Sequence, residues 1–449
     1  MLISFSLRNW MSFRDSAHLS MVATRERQHG ERIPRIDKYK TRILPVVAIY
    51  GGNASGKSNL CLALASAKQL VVYGTQPDGI IQVEPFRLDR KNLELPTFFG
   101  FEILVNETIY AYSFNLSRTS VLEEKLVAIS SGTEKVLYDR RKDQIQMDRS
   151  LQDDRQIEYV FKGTRDNQLF LTNSISQKVD KFRPVYDWFK HSLEIIGPDS
   201  RFEPFEQILD EGNPLHSFMN EVIQKLDTGI VRLCGEKVLI DNIPLETSLL
   251  NKLKEIVTEG KAIRLVSRST NDRYILTREK GELVAKRLVA YHSRDDGSEV
   301  RFELKQEADG SLRVIDLIPA FQVLSDPGSS KVFIIDELNR SLHTILTRHL
   351  LETYLDTCSA NTRTQLLFTT HDLLLMDQQL FRRDEMWITE RNHDGISSLV
   401  SFSDFKDVRY DKDIRKSYLQ GRLGGIPRIS PIGGLVGMTR SEQGRRANG

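Results

Sequence analysis

The chain has 449 residues and a mass of 51.6 kDa, and its 63 basic against 61 acidic side chains leave a formal balance of +2; that length suits roughly two or three domains of about 150 residues, and the near-neutral charge argues against a generic polyanion binder while leaving a local basic patch open. With 40% hydrophobic and 28% charged residues, wholesale disorder is excluded. No apolar run approaches the roughly 18–20 residues of a membrane span, the opening lacks the basic-then-apolar order of a secretory leader, and three distant cysteines (Cys61, Cys234, Cys358) without metal-ligand spacing argue against a disulfide framework or zinc site and for a reducing cytoplasm.

Leu2–Leu7 alternates apolar and polar residues and reads as a half-buried strand. Residues 15–42 are polar without a period. Ile43–Tyr50 is apolar and partly β-branched, a strand buried on both faces with Pro45 near its start. Gly51 to Ser58 punctuate it, and helical character resumes from Asn59 to Leu70. Phe98–Val105 and Thr108–Leu116, separated by Asn106-Glu107, carry a hairpin signal. Residues 130–165 are charged and weakly patterned. Leu215–Leu226 and Leu249–Val257 have helical spacing, and Ile263–Val266 and Arg273–Thr277 read as strands. Residues 312–324 read as a helix broken or kinked at Pro319. Strands are expected again at Lys331–Asp336, Gln365–Thr369 and Glu385–Thr389, with a helix over Leu342–Tyr354. The polar, basic tail beyond about residue 436 reads as mobile. No internal repeat is found. The pattern implies an α/β fold: a mostly parallel sheet with helices on both faces, its strands supplied by the two ends of the chain and a middle region of roughly 170–300 inserted between them.

The strongest chemical signal is Gly51-Gly52-Asn53-Ala54-Ser55-Gly56-Lys57-Ser58. It matches G-x-x-x-x-G-K-[ST] between a buried strand and a helix, the context this pattern needs. Its glycines let successive N–H groups turn inward as an anion nest, and the helix that follows adds its partial positive charge. Lys57 then reaches the β- and γ-phosphates, and the Ser58 hydroxyl faces Mg²⁺. The second signal is Val332-Phe333-Ile334-Ile335-Asp336-Glu337, a buried strand ending in two acids at the sheet edge where ligands bind. Asp336 suits a Mg²⁺ water shell, and Glu337 suits the attacking water. Third, Leu366–Thr370 is followed by His371, placed to hydrogen-bond the γ-phosphate or the water. Fourth, Glu307-Ala308-Asp309-Gly310-Ser311 precedes a helix; alone it is an ordinary cap.

Taken in order, these parts resemble ABC-type ATPases. Within them the chain is similar to the AAA15/AAA21 group of bacterial ATP-binding proteins, the RloA- or AbiLi-like type, related to SMC and Rad50 heads. The resemblance rests on LISFSLRNWMSF (2–13) as the opening strand and N-F-x-S-F segment and on Asn53 within GGNASGKSN. It rests also on EADGS for the E-S-D-G-T signature, IIDELNRSLH (334–343), FTTHD, and YLQGRLGGIP (418–427). It covers roughly 1–126 and 295–430. Two departures stand out: the signature serine is Ala308, and the usual proline after Leu-His is Thr344. Gln76 and Gln82 are the candidates for the sensing glutamine.

The resemblance implies an ABC-type P-loop NTPase head with an added antiparallel β region and an inserted mixed helical/β region. The ATPase core would comprise 1–126 and 295–435, the inserted lever or lid 127–294, and the flexible tail 436–449. It implies ATP and Mg²⁺ as cofactors, with Glu337 and His371 catalytic and Ser58 and Asp336 at the metal. Gly51, Gly52, Asn53, Ala54, Ser55, Gly56, Lys57, Ser58 and Asn59 would bind nucleotide. Arg14 would lie over adenine, and Ala308, Asp309, Gly310 and Ser311 of a second copy would close the site. The implied protein is a cytoplasmic homodimer or higher homo-oligomer with ATP at the interface. It would act as a sensor or assembly switch in bacterial anti-phage defence, controlling a separate effector for which a nuclease is the candidate. The alternative is an SMC- or Rad50-like ATPase that binds DNA through Lys and Arg in 160–190 and 261–301. A third reading is a scaffold that binds ATP without hydrolysing it, which Ala308 keeps open.

Overall fold

The computed structural model describes residues 1–152, 154–198, 200, 212–243, 245–259, 262–266, 272–405, 414–421 and 424. The tail expected beyond 436, and residues 422–423 and 425–427 of the 418–427 motif, lie outside the described residues.

A six-stranded sheet forms the centre, in the order Leu193–Ile196, Val332–Ile335, Gln365–Thr369, Val46–Tyr50, Met386–Arg391, Ser397–Ser401. All pairs are parallel except the last. Apolar runs with no polar alternation belong in such a sheet because both faces are covered. The alternation of side chains divides them between two cores. Val47 and Ile49 join Leu60, Leu64 and Val71 of helix Lys57–Tyr73, whereas Val46, Ala48 and Tyr50 join Val314 and Leu317 of helix Asp309–Ser325 and Leu351 of helix Thr344–Thr357.

A seven-stranded antiparallel sheet covers the first core, in the order Gln144–Met147, Glu134–Arg141, Val121–Ile129, Thr108–Leu116, Thr97–Val105, Leu2–Arg8, Ala17–Ser20. The expected hairpin is there: Val105 pairs with Thr108, and Asn106 and Glu107 both take positive φ, as a two-residue turn matched to strand twist requires. The third sheet carries Ile230–Val238, Glu282–Ser293, Arg273–Glu279 and Ala262–Val266, with Glu299–Glu303 on the long strand. Helices Pro214–Lys225 and Thr247–Ile256 accompany it.

Three observations bear on the expected layout. The boundary set at 126/127 falls inside strand Val121–Ile129, which continues the antiparallel sheet. Leu193–Ile196, assigned to the insert, forms the edge of the central sheet by pairing with Val332–Ile335. Helix Asp309–Ser325 runs through Pro319 without the break that is one of the two outcomes expected there. Proline removes one backbone bond there, and the burial of Ile315, Leu317, Ile318, Pro319 and Ala320 holds the helix together.

Candidate functional site

Strand Val46–Tyr50 ends at Gly51, and the next helix begins at Lys57. Gly56 sits at φ 113° as the residue before that helix. A Cβ there would lie 2.5 Å from Ser397 Oγ, and one at Gly51 would lie 2.5 Å from Thr389 Oγ1, so both glycines answer a close approach of neighbouring strands. Ser55 Oγ bonds Thr389 Oγ1 at 2.6 Å. Lys57 is only 8% exposed and donates to the carbonyls of Gly51 (2.7 Å) and Gly52 (3.0 Å). Burial pulls its amine below the ordinary lysine range, while the neighbouring Asp336 and Glu337 carboxylates act in the opposite direction. The loop lysine and the acidic pair therefore occupy one electrostatic neighbourhood.

Asp336 follows strand Val332–Ile335, is 4% exposed, and accepts a hydrogen bond from Thr369 Oγ1 at 2.5 Å. The Cys61 thiol lies beside it; burial first, and then Asp336, push that thiol well above its usual range. Glu337 is half-buried and takes φ 51°, a costly conformation for a non-glycine residue. Its N–H is held by Thr369 Oγ1 at 2.8 Å. Arg313, buried on helix Asp309–Ser325, reaches the carbonyls of both Asp336 and Glu337 at 3.5 Å. Thr369 and Arg313 thus both hold the acidic pair. His371 is exposed just past strand Gln365–Thr369, where the Thr370 N–H bonds the carbonyl of Ile49 at 3.0 Å. That bond brings its backbone to the mouth of the loop.

The remaining expected residues are placed as follows. Asn53, Ala54 and Ser58 are exposed on the loop and first helical turn, and Gly52 is half-buried there. Asn59 turns away: its amide donates to Ser12 Oγ (2.7 Å) and its carbonyl accepts from the Trp10 indole (2.8 Å). Arg14 pairs with Asp15 at 3.1 Å, with Asp89 and Asp394 nearby. Ala308, Asp309, Gly310 and Ser311 start helix Asp309–Ser325, with Ala308 as its extended first cap. Gly310 lies against Ser341 of the same chain, whose carbonyl would be 2.8 Å from a Cβ on Gly310. Thr344 bonds the Asp372 carboxylate. Gln76 and Gln82 are both exposed in the connection after helix Lys57–Tyr73.

Sequence reading missed Ser12, Arg313, Thr369, Thr389 and Ser397. The N-W-M-S-F segment signalled Ser12 as part of a motif; nothing in the local pattern marks Ser397. Among the described residues, no group of three or more His, Cys, Asp or Glu side chains forms a metal cage. Mg²⁺ bound alongside phosphates needs only one or two protein oxygens and keeps several waters, which fits an Asp336 carboxylate and a Ser58 hydroxyl.

The model of the AAA_21 family, described as "AAA domain, putative AbiEii toxin, Type IV TA system", matches residues 46–377. No curated protein matches the chain in sequence. Among solved structures, the SMC head domain from Thermotoga maritima aligns with 13% identity and a TM-score of 0.38, covering 89% of this chain and 98% of that one. An SmcHead bound to the C-winged helix domain of ScpA aligns with 10% identity and a TM-score of 0.36, covering 89% and 97%. The chain belongs to the AAA_21 family.

Proposed function

We propose that this AAA_21 chain is an ABC-type ATPase that binds and hydrolyses MgATP between two copies and acts as a sensor or assembly switch in bacterial defence against phage. The observation that carries the reading is that the glycine loop with its buried Lys57, opening a helix, and the Asp336-Glu337 pair stand at the carboxyl edge of one parallel sheet, near enough for both carboxylates to act on the Lys57 amine. Loop N–H groups and Lys57 hold the β- and γ-phosphates. Ser58 and Asp336 hold Mg²⁺, which supplies charge neutralisation at the phosphates. Glu337 orients and deprotonates the attacking water, and His371 steadies the water or the γ-phosphate. Ala308–Ser311 of a second copy cap the nucleotide through backbone N–H groups at a helix start, a contact that survives loss of the family serine.

The family description, with its AbiEii toxin and Type IV TA system, supports a place in defence. A separate effector, for which a nuclease is the candidate, and a cytoplasmic location complete the reading. Among the described residues, no helix is long and apolar enough to cross a membrane.

The DNA-binding alternative draws less support. Cations expected to form that surface are engaged within the chain: Lys162 with Glu158, Lys181 with Asp154, Arg183 with Asp180, Arg287 with Glu303, and Arg301 with Glu236. The test is Mg²⁺-dependent ATP turnover by the purified chain, abolished in K57A and E337Q. Absence of turnover in the wild-type protein refutes the enzymatic reading, and salt-dependent DNA binding by the chain alone restores the alternative.

A further inference from the structure

Two serines outside the family-matched residues meet beneath the loop. Asn59 Nδ2 lies 2.7 Å from Ser12 Oγ, and Ser397 Oγ lies 2.8 Å from Ser12 Oγ and 2.6 Å from the carbonyl oxygen of Ser55. The Ser397 N–H also donates to the Ser12 carbonyl at 2.7 Å. Ser12, Ser55 and Ser397 are all buried, at 8%, 5% and 3% exposure, so bulk water does not stand in for these partners.

Chemistry fixes the direction of the chain. An amide nitrogen donates, a carbonyl accepts, and a hydroxyl has one proton to give. Ser397 must give its proton to Ser55 and accept from Ser12, and Ser12 accepts from Asn59. Protons therefore point one way, from the first turn of the helix, through two segments remote in sequence, back to the loop that precedes it. Such aligned chains polarise one another.

The Ser55 carbonyl and the Gly56 N–H belong to one planar trans peptide and point in opposite directions. Holding that carbonyl onto Ser397 turns the Gly56 N–H to the other side of the loop. Gly56 also has no room for a side chain, because a Cβ would meet Ser397 Oγ at 2.5 Å and Ser12 Oγ at 3.0 Å. The glycine and the two serines are one device.

We infer that Ser397, working with Ser12, is a positioning residue for nucleotide binding: by holding the Ser55 carbonyl it presents the Gly56 N–H to the phosphates. This deepens the reading of Gly51–Ser58 as a nucleotide loop and rests on it. It also means that segments on both sides of residues 46–377 complete the site.

The test measures ATP and ADP affinity, KM, kcat and thermal unfolding for the full chain and for S397A, S397C, S12A and S12A/S397A. Loss of a buried hydrogen bond with its partner left unmet predicts that S397A weakens both nucleotides about tenfold, with KM rising and kcat changing less than about twofold. S397C, keeping a weaker donor, falls between wild type and S397A. It also serves if S397A does not fold. Because both serines act in one chain, the double variant binds no worse than S397A alone. The inference is overturned if folded S397A or S397C binds ATP as wild type does, or if the losses of the two single variants multiply. If the wild-type chain itself binds no ATP, the nucleotide reading fails instead.

Discussion

The loop-and-acid site and the five-stranded sheet, which spans the expected insert and Glu299–Glu303 just beyond it, both concentrate charge, but they do opposite things with it. At the site, Lys57 and Asp336 are buried and each is held by oriented neighbours: two loop carbonyls for the lysine, Thr369 for the aspartate. On the inserted sheet, Arg232, Glu236, Arg287, Glu299, Arg301 and Glu303 sit partly exposed in mutually neutralising pairs. Desolvated charge in fixed geometry can stabilise a transition state. Paired charge at a wet surface mostly cancels. The same residue types thus mark the proposed nucleotide site in one region and a neutral face in the other.

The sharpest way to break that contrast is to remove one carboxylate from each. E337Q is expected to lower ATP turnover about a thousandfold, the range of a lost general base, while E236Q stays within about twofold of wild type. Comparable losses from both would show that the inserted face takes part in the chemistry.

The seam between the regions is next. Arg273 of the inserted sheet meets Asp316 of helix Asp309–Ser325 at 2.6 Å, with side chains 2% and 10% exposed. His292 on the long inserted strand bonds Glu307, directly before Ala308, at 2.7 Å. Breaking a buried pair is costly, so D316A should destabilise the chain by about 3 kcal/mol in urea unfolding. A loss under about 1 kcal/mol would mean that the insert is not firmly joined to the core.

Burial inside the core also predicts a pH effect. Glu385, fully buried at the start of strand Met386–Arg391, is pushed up to about 7 by burial, with Arg32 acting against that shift. Its folded value exceeds the unfolded 4.5, so between these values the folded chain keeps a proton that the unfolded chain releases. The contribution of this group to stability is full below about 4.5 and falls by about 3 kcal/mol as pH rises to about 7. Chemical denaturation from pH 4.5 to 8 should show that fall, and E385Q should remove it. An identical pH slope in both proteins would exclude Glu385 as its source.

The contrast also explains what could be read from the amino acids alone. The glycine loop, the acidic pair and the strand before His371 are contiguous, and each carries its own context, so the sheet and the motifs at its edge were legible. The Asn106-Glu107 turn was legible for the same reason. Glu134–Arg141 was not, because most of its side chains face water and only Tyr138 and Arg140 are buried. Leu193–Ile196 is four residues long and becomes a strand only through its partner at 332–335. Ser397, Arg313 and Thr369 act through contacts with residues 23 to 385 positions away. No periodicity records such contacts.

The smallest effect is the most discriminating about the inserted face. Arg232 bonds Glu299 at 2.8 Å, and its guanidinium carbon lies 3.7 Å from the centroid of the Tyr291 ring. With both charged side chains more than a third exposed, the ion pair is screened by solvent and E299Q should cost less than about 0.5 kcal/mol. R232A removes the stacked cation as well, and an exposed cation–π contact is worth about 0.5–1 kcal/mol. The two variants should therefore separate, with R232A the more damaging. In about 0.5 M salt the cost of E299Q should vanish, because that concentration screens exposed charges over a few ångströms. Most of the R232A cost should persist, since stacking also buries apolar ring surface. Equal costs that vanish together in salt would reduce the face to a simple ion-pair lattice and remove any structural part for Tyr291.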